Sequence, residues 1–281
     1  MCTYSTGQTM VREVLDDWLR FLGGRPNQVI FAVSPRIEPP PVYEELRKEG
    51  VIDRILLLES EGRSVLETEP EAVRLIVDAT PTEWVLLIKL DTLPYRSGHE
   101  TWLDDALERV DKYRLFGMTG GFPIADLVPL EDGYSTTQKF SNNFSIFRRS
   151  DWLNVIHATI GNGYSQVIAG SLQSQGDNIR YINEYTIETY MENTGKRMLV
   201  KHDTRDWSVF HVNVWGEALR RVRIPYVKRQ GVKRFLNTGK PLRRSIRYPW
   251  QQYYGYPRPP FFKLMRIVLG RWRRTFFGLR N

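Results

Sequence analysis

Single polar side chains follow several apolar runs of the sequence, at positions where a ligand could bind. They are Ser34, Glu59 and Asp91, together with Thr3 and Tyr4 if the opening Cys-Thr-Tyr ends a first strand. Ligands of open α/β sheets bind beyond the carboxyl ends of the strands. These residues therefore predict one shared site at one edge of a sheet.

Asp91 is of special interest because it follows an apolar run, Trp84 to Ile88, and precedes Pro94 by three residues. A carboxylate at such a strand end can contact a ligand, or it can cap the turn before the proline. The sequence leaves both interpretations open.

The elements that would position these side chains alternate between helix and strand. The predicted helices are 9–23, 41–50 and 69–79, and the predicted buried strands are 28–34, 53–60 and 83–91. Continuous apolar strands between helices are typical of an α/β fold, with a mostly parallel, twisted sheet covered by helices on both faces.

Charge divides the chain into two parts. The net charge of the whole chain is +8. The stretch Ala218 to Asn281 holds 18 of the 40 Lys and Arg residues and none of the 32 Asp and Glu residues, which leaves 40 − 18 = 22 basic and 32 acidic residues in 1–217. We therefore predict an acidic domain over 1–217 and a basic extension over 218–281. Such an asymmetry favours contact between the extension and an anionic surface.

Cysteine content and hydropathy narrow the protein class. Cys2 is the only cysteine, which excludes an internal disulfide framework and a thiolate zinc cluster and fits a reducing compartment. The sequence has no apolar run long enough to span a membrane and no secretory leader pattern. Phosphate-loop, dinucleotide-binding and nucleophile-elbow motifs are also missing, which disfavours kinases, dehydrogenases and α/β-hydrolases.

Two later motifs complete a pattern that resembles a known family. They are Phe-Ser-Asn-Asn-Phe-Ser-Ile-Phe-Arg-Arg-Ser-Asp-Trp at 140–152 and the acidic helix with its following strand at 182–200. Together with the order of the earlier elements, they resemble family 2 glycosyltransferases with the A-type (GT-A) fold over most of 1–217. The resemblance implies an inverting transfer of sugar from a UDP- or GDP-linked donor to a lipid-linked or cell-surface polysaccharide acceptor.

The resemblance also implies a divalent cation, Mn²⁺ or Mg²⁺, which an Asp-x-Asp pair holds beside the departing diphosphate. Only one acid of that pair is present, because Lys89 or Leu93 stands where the partner of Asp91 would be. This leaves two alternatives, a cation bound through Asp91 with phosphates, water and a later ligand, or no cation and a Lys or Arg side chain in its role. A late histidine often completes this site, and His211 matches that position. His202 is a competing candidate, and a histidine on an apolar strand can instead be a hydrogen-bonded core residue.

An inverting transfer requires a base for the acceptor hydroxyl, and the resemblance implies Glu184, at the start of a helix. Glu188 lies one turn later on the same face, and Asp177 lies in the preceding loop. The alternative is that Glu184 and Glu188 form the solvated face of an ordinary helix.

Further residues are candidates for contact with the sugar nucleotide or with the acceptor of the sugar. The donor set implied by the resemblance is Thr3, Tyr4, Ser34, Glu59, Arg63, Lys89 and Asp91. The region before 144 is rich in glycine, amides and aromatic residues, which suit the faces and hydroxyls of sugars. The acceptor candidates are Gly120, Gly121, Tyr134, Asn142 and Asn143. Ordinary loop chemistry accounts equally well for these five residues.

The basic extension contains a stretch with an amphipathic helical pattern. One face carries Phe261, Leu264, Met265, Val268, Leu269, Trp272 and Phe276, and the other carries Lys263, Arg266, Arg273 and Arg274. This pattern predicts a peripheral protein at the inner, anionic face of a membrane. The extension could instead pack on the acidic domain or bind single-stranded nucleic acid, and the incomplete Asp-x-Asp pair leaves a non-catalytic scaffold as a further alternative.

Overall fold

The computed structural model describes residues 2–3, 10–33, 41–58, 65–120, 126–162, 182, 184–201, 206–212, 219–221 and 223. The helices are α1 (Val11–Leu22), α2 (Pro41–Lys48), α3 (Val65–Ala79), α4 (Trp102–Lys112), α5 (Arg149–Asn162) and α6 (Glu184–Thr194). The strands are β1 (Cys2–Thr3), β2 (Ile30–Val33), β3 (Arg54–Leu57), β4 (Trp84–Ile88), β5 (Thr92–Arg96), β6 (Gly117–Thr119), β7 (Val128–Pro129), β8 (Tyr134–Thr137), β9 (Phe144–Arg148), β10 (Met198–Lys201) and β11 (Trp207–His211).

The first three strands form a parallel sheet in the order β1, β2, β3. Thr3 at the end of β1 pairs with Val33 at the end of β2, as expected for strands whose carboxyl ends meet. The prediction of a fully buried strand at 53–60 is wrong for β3. Its sequence is apolar, but β2 is its only neighbour among the described strands, and Leu57 is 56% exposed.

A larger sheet of six strands has the order β4, β9, β6, β10, β8, β7. Only β6 and β10 are parallel neighbours in this sheet, while β9 runs antiparallel to both β4 and β6. The predicted α/β class is confirmed. The mostly parallel pairing that the sequence predicts holds in the first sheet, whereas the larger sheet is mixed, because an apolar run does not specify the direction of its partner.

A two-stranded antiparallel ribbon joins β5 and β11. The segment with Pro94 is therefore a strand, in which Pro94 pairs with Val209 and Thr92 pairs with His211. Residues 89–91 form the connection from β4 to β5, and the Thr92 N–H donates to the carbonyl of Lys89 at 3.0 Å. The predicted strand 83–91 thus ends at Ile88, three residues before Asp91.

Helix α1 packs its apolar face against this ribbon through a cluster of aromatic rings. Phe21 of α1 lies 4.4 Å from Trp102 of α4, and Trp102 lies 4.7 Å from Trp207 of β11, measured between ring centroids. All three side chains are buried. The burial of such large rings makes this cluster a major contribution to the core.

The compact unit that contains the described residues extends from Met1 to Asn237, beyond the predicted domain end at 217. Leu219 is buried and Arg223 binds Asp17 of α1, so the start of the basic extension belongs to this unit. The predicted amphipathic segment, 261–276, lies outside the described residues. None of the described helices is both long enough and apolar enough to cross a bilayer.

Candidate active site

Asp91 and His211 are in direct contact although 120 positions separate them in the sequence. Asp91 lies in the turn between β4 and β5, and His211 is the last residue of β11. The ribbon brings them together, because His211 pairs with Thr92 and the Val212 N–H donates to the Asp91 carbonyl at 2.9 Å. As a result, His211 Nε2 lies 2.9 Å from Asp91 Oδ2.

The carboxylate of Asp91 is buried and only half satisfied. Oδ2 contacts the imidazole of His211, whereas Oδ1 has no hydrogen-bond partner in the part of the chain that the structure describes. An unsatisfied buried carboxylate oxygen is unfavourable unless a donor or a cation reaches it. The side chain does not cap the turn, whose backbone bond runs from Thr92 to Lys89.

The donor atoms of this pair suit a divalent cation in type, because a carboxylate oxygen and an imidazole nitrogen are ligands of Mn²⁺. The 2.9 Å between them is that of a hydrogen bond, which a bound cation would replace. The described residues contain no group of three or more His, Cys, Asp or Glu side chains that could hold a metal ion. A cation at Asp91 and His211 would therefore need further ligands from a bound molecule or from water.

Glu184 and Glu188 of α6 bind the segment that precedes β9. Glu184 Oε1 accepts the Asn142 N–H at 2.7 Å, and Glu188 Oε1 accepts the Phe140 N–H at 3.2 Å. Lys139 Nζ also donates to Glu188 Oε2 at 2.6 Å, and this hydrogen bond raises the pKa of Lys139 despite partial burial. Both glutamates hold this segment in place, so they do not form a freely solvated helix face.

The segment held by α6 lies at the same sheet edge as the turn of Asp91. Strand β9 runs antiparallel to β4 and pairs Phe144 with Ile88, so the residues before β9 meet the carboxyl end of β4. The Lys89 N–H donates to the Asn143 carbonyl at 3.1 Å. The Asn143 side-chain oxygen, Oδ1, is buried and has no hydrogen-bond partner among the described residues. Two residues at this edge, Asp91 and Asn143, thus carry a buried acceptor oxygen without a hydrogen-bond partner among the described residues.

Two of the predicted acceptor contacts have packing roles in the structure. A Cβ atom at Gly120 would lie 3.3 Å from the Phe144 ring, which shows close packing at that position. Tyr134 is buried, with Arg109 Cζ and Lys201 Nζ 4.7 and 4.8 Å from its ring centroid. Burial raises the pKa of Tyr134 to about 12. Tyr134 belongs to the core because all four residues of β8 are buried, which the Gly-rich composition of the region concealed.

Seven of the predicted site residues lie outside the described residues. They are Tyr4, Ser34, Glu59, Arg63, Gly121, Asp177 and His202. Of Thr3, only the backbone pairing at the end of β1 is described.

The sequence interpretation missed Trp18, a buried residue of α1 that supports the site. Its indole N–H donates to the Thr92 carbonyl at 3.0 Å, and its ring stacks on Phe144 with centroids 5.6 Å apart. Trp18 therefore contacts the residue after Asp91 and also the first residue of β9. In sequence it is one apolar position of an amphipathic helix, and no local pattern distinguishes it from ordinary core.

Comparison with known proteins gives no family assignment, since no family model and no curated protein matches the chain. Similar solved structures include an apo UDP-glucose pyrophosphorylase, with 9% identity, a TM-score of 0.35, and coverage of 74% of this chain and 90% of the other. S. aureus TarS 1-349 in complex with UDP has 12% identity and a TM-score of 0.41, with coverage of 74% of this chain and 58% of TarS. A 4-diphosphocytidyl-2C-methyl-D-erythritol synthase has 15% identity and a TM-score of 0.39, with coverage of 79% of this chain and 96% of the other. These likenesses are loose, so the function proposed below rests on the geometry of this chain together with the resemblance of its sequence and its composition.

Proposed function

We propose that this chain is a glycosyltransferase that transfers sugar from a UDP- or GDP-linked donor, with inversion, to a lipid-linked or cell-surface polysaccharide acceptor. The observation that carries the proposal is the contact of 2.9 Å between Asp91 and His211. The resemblance of the sequence to family 2 glycosyltransferases implies that these two residues share one site. A contact across 120 positions, with an unsatisfied carboxylate oxygen beside it, supports that assignment.

Asp91 and His211 would hold a divalent cation, which would neutralise the charge that develops on a departing diphosphate. In the protein, the β5–β11 ribbon keeps the two side chains together, and Trp18 fixes the carbonyl of Thr92 next to them. Both groups are thus preorganised, which reduces the reorganisation needed when a donor binds.

Glu184 is the base that we assign to the acceptor hydroxyl. Its Oε1 is oriented by the Asn142 N–H, and a carboxylate has lone pairs enough to accept a proton as well. Glu188 is a poorer candidate, because its pair with Lys139 and its bond to the Phe140 N–H hold the segment before β9 in place.

The membrane part of the proposal rests on composition. The extension carries 18 basic and no acidic residues, and an anionic leaflet attracts each nearby basic residue by about 1 kcal/mol. We propose that the enzyme works as a peripheral protein at the inner face of a membrane, where a lipid-linked acceptor would be available.

A binding experiment tests this function. The unfolding temperature of the protein is measured with UDP, GDP and their sugar conjugates, with and without MnCl₂ or MgCl₂. We expect stabilisation by one nucleotide class, its loss in Asp91→Asn and His211→Gln, and no change in the controls Asp104→Asn and His157→Gln, whose residues are exposed on α4 and α5.

Three outcomes would contradict the proposal. Stabilisation by oligonucleotides alone would support the nucleic-acid alternative. Nucleotide binding without any sugar transfer or donor hydrolysis would support a scaffold. Release of nucleoside triphosphate from a nucleotide sugar and pyrophosphate would replace sugar transfer with a different reaction.

A further inference from the structure

Asp17 is a fully buried carboxylate outside the candidate site. It lies on the inward face of α1, and its side chain is 0% exposed. A buried carboxylate is strongly unfavourable unless cations and hydrogen bonds compensate it. Two guanidinium groups do so here, that of Arg20 in the same helix and that of Arg223 at the start of the basic extension.

Arg223 is the more buried of the two partners. Its Nη2 donates to Asp17 Oδ1 at 3.0 Å and its Nε donates to Oδ2, so the two groups form a two-pronged pair. The side chain of Arg223 is 18% exposed, against 67% for Arg20. The hydrogen bond to Asp17 also raises the pKa of Arg223. A two-pronged pair restricts orientation as well as distance, so it fixes α1 relative to 219–223.

The next residue of α1 connects this ion pair to both halves of the site. Trp18 donates to the Thr92 carbonyl at 3.0 Å, and its ring stacks on Phe144 at 5.6 Å. Thr92 follows Asp91 and pairs with His211, while Phe144 follows Asn143. A shift or rotation of α1 at Asp17 would therefore move Trp18 away from the ribbon that aligns Asp91 with His211.

We propose that Arg223 is a positioning residue for Asp91 and His211. By neutralising Asp17, Arg223 holds α1 in the orientation that keeps the Trp18 indole on the Thr92 carbonyl. The expected effect on nucleotide binding rests on the function proposed above, whereas the expected effect on the environment of His211 does not. The extension is thereby linked to the site through its first residues, in addition to any contact that it makes with a surface.

Two variants and one control test the positioning. Arg223→Met removes the charge, and Arg223→Lys keeps the charge but loses the two-pronged geometry. Arg12→Met is the matched control, because Arg12 of α1 also forms a two-pronged pair, with Glu49, at 2.6 and 2.9 Å on the exposed side. If Arg223→Met does not fold, Arg223→Lys supplies the measurement.

The first measurement is independent of the proposed function. Ring signals of ¹⁵N-labelled histidine are recorded by NMR, and His211 is assigned with His211→Gln. We expect the His211 signals to move in Arg223→Met, to move less in Arg223→Lys, and to stay in place in Arg12→Met, while the signal of the exposed His157 is unchanged in all three. His211 signals that match the wild type in the folded Arg223 variants would overturn the proposal.

The second measurement is a double-mutant cycle on binding of UDP with MnCl₂. Because residues that orient metal ligands typically change affinity by 10- to 100-fold, we expect Arg223→Met to weaken binding by about tenfold. In a His211→Gln background the same substitution should change affinity by less than about twofold, since the group it positions is gone. An equal loss of UDP affinity on Arg223→Met in the wild-type and His211→Gln backgrounds would show that Arg223 has a merely structural role. If His211→Gln alone leaves binding unchanged, the proposed function fails at this site, and the NMR result still decides the positioning.

Discussion

The contacts of the Asp91 carboxylate distinguish between the two roles that its position in the sequence leaves open. Its position after an apolar run was consistent with a turn cap and with a ligand contact. The structure shows no bond from its carboxylate to the turn and shows a contact with His211 instead. The remaining oxygen, Oδ1, is buried without a partner among the described residues, which is the feature that a purely structural role would not require.

The role of Glu184 gives a prediction at the same scale. Glu184→Gln keeps an oxygen that can accept the Asn142 N–H but removes the basic carboxylate, so donor affinity should persist while turnover falls by about 10²- to 10⁴-fold. Steady-state kinetics and donor titration of the purified variant provide the measurement. Wild-type turnover in Glu184→Gln would contradict the assignment.

Glu188 should behave differently from Glu184. Glu188→Gln breaks the pair with Lys139, so we expect a loss of about 1 to 2 kcal/mol in the free energy of unfolding with a much smaller effect on turnover. Urea denaturation and kinetics of the same preparation distinguish the two effects. A turnover loss as large as that of Glu184→Gln would transfer the base assignment to Glu188.

At the scale of elements, local patterns predicted the first half of the fold well. Helix α1, strand β2 and helix α2 lie where the apolar pattern placed them, because each helix buries one apolar face and all four residues of β2 are buried. The β5–β11 ribbon was not predicted, since β5 contains Pro94 and its partner follows more than a hundred residues later. The contact between Asp91 and His211 depends on that ribbon, so only the family resemblance, and no local pattern, could suggest it.

Gly117 tests the close packing of the larger sheet. A Cβ atom at this position, between β9 and β10, would lie 2.2 Å from the Ile146 carbonyl oxygen, a backbone atom that cannot move aside alone. We expect Gly117→Ala to lower the free energy of unfolding by about 1 to 3 kcal/mol. Gly24→Ala is the control, because a Cβ atom there meets nothing within 4 Å. Equal stability of the two variants in urea would contradict the register of β6 and β9.

His99 links the start of α4 to the start of β11 and makes that junction sensitive to pH. Its Nδ1 lies 2.7 Å from Asp206 Oδ2 and its Nε2 lies 2.6 Å from Asp105 Oδ2. Burial opposes the charge of the imidazolium, but the hydrogen bonds to Asp206 and Asp105 outweigh it and raise the pKa of His99 above 6.5. The hydrogen bond from His99 lowers the pKa of Asp105. At Asp206 burial is the largest effect and opposes the charge, but the hydrogen bond from His99, the charge of Lys201 and the backbone hydrogen bonds together outweigh it and lower the pKa.

These shifts determine when His99 stabilises the fold. A raised pKa contributes stability that is complete below the unfolded value of about 6.5 and is lost as the pH rises through the folded value. The lowered pKa values of the two aspartates contribute stability above about 3.8 that is lost in acid. We therefore expect the difference in unfolding free energy between wild type and His99→Gln to be largest at about pH 5 to 6 and to shrink above pH 7. His157→Gln is the control, and a difference that grows with pH would contradict the charged state of His99.

At the scale of the whole molecule, the boundary of the folded unit decides which parts of the extension can be removed. A variant that ends at Asn237 keeps Leu219 and Arg223, so we expect it to fold with nearly the stability of the full chain. A variant that ends at Glu217 exposes the site of Leu219 and leaves Asp17 without Arg223, which should reduce stability by about 3 to 5 kcal/mol. Equal urea midpoints for the two shortened variants would contradict this boundary.

The same variants test attachment to membranes. The full chain should sediment with anionic vesicles, and salt should weaken this attachment without abolishing it, because apolar insertion is not screened. The variant that ends at Asn237 lacks the amphipathic segment and should stay in solution while it still binds the donor. Retention of RNA by the full chain, with no binding to vesicles, would favour the nucleic-acid alternative.

The proposed function requires that a nucleotide donor and a cation meet at Asp91 and His211. The most direct measurement is a crystal structure of the protein with UDP or GDP, whichever stabilises it, and MnCl₂, recorded at the manganese absorption edge. We predict an anomalous peak within about 2.0 to 2.3 Å of Asp91 and His211, with the diphosphate bound to the same ion. A nucleotide bound elsewhere, with Asp91 and His211 still paired only to each other, would contradict the proposed site.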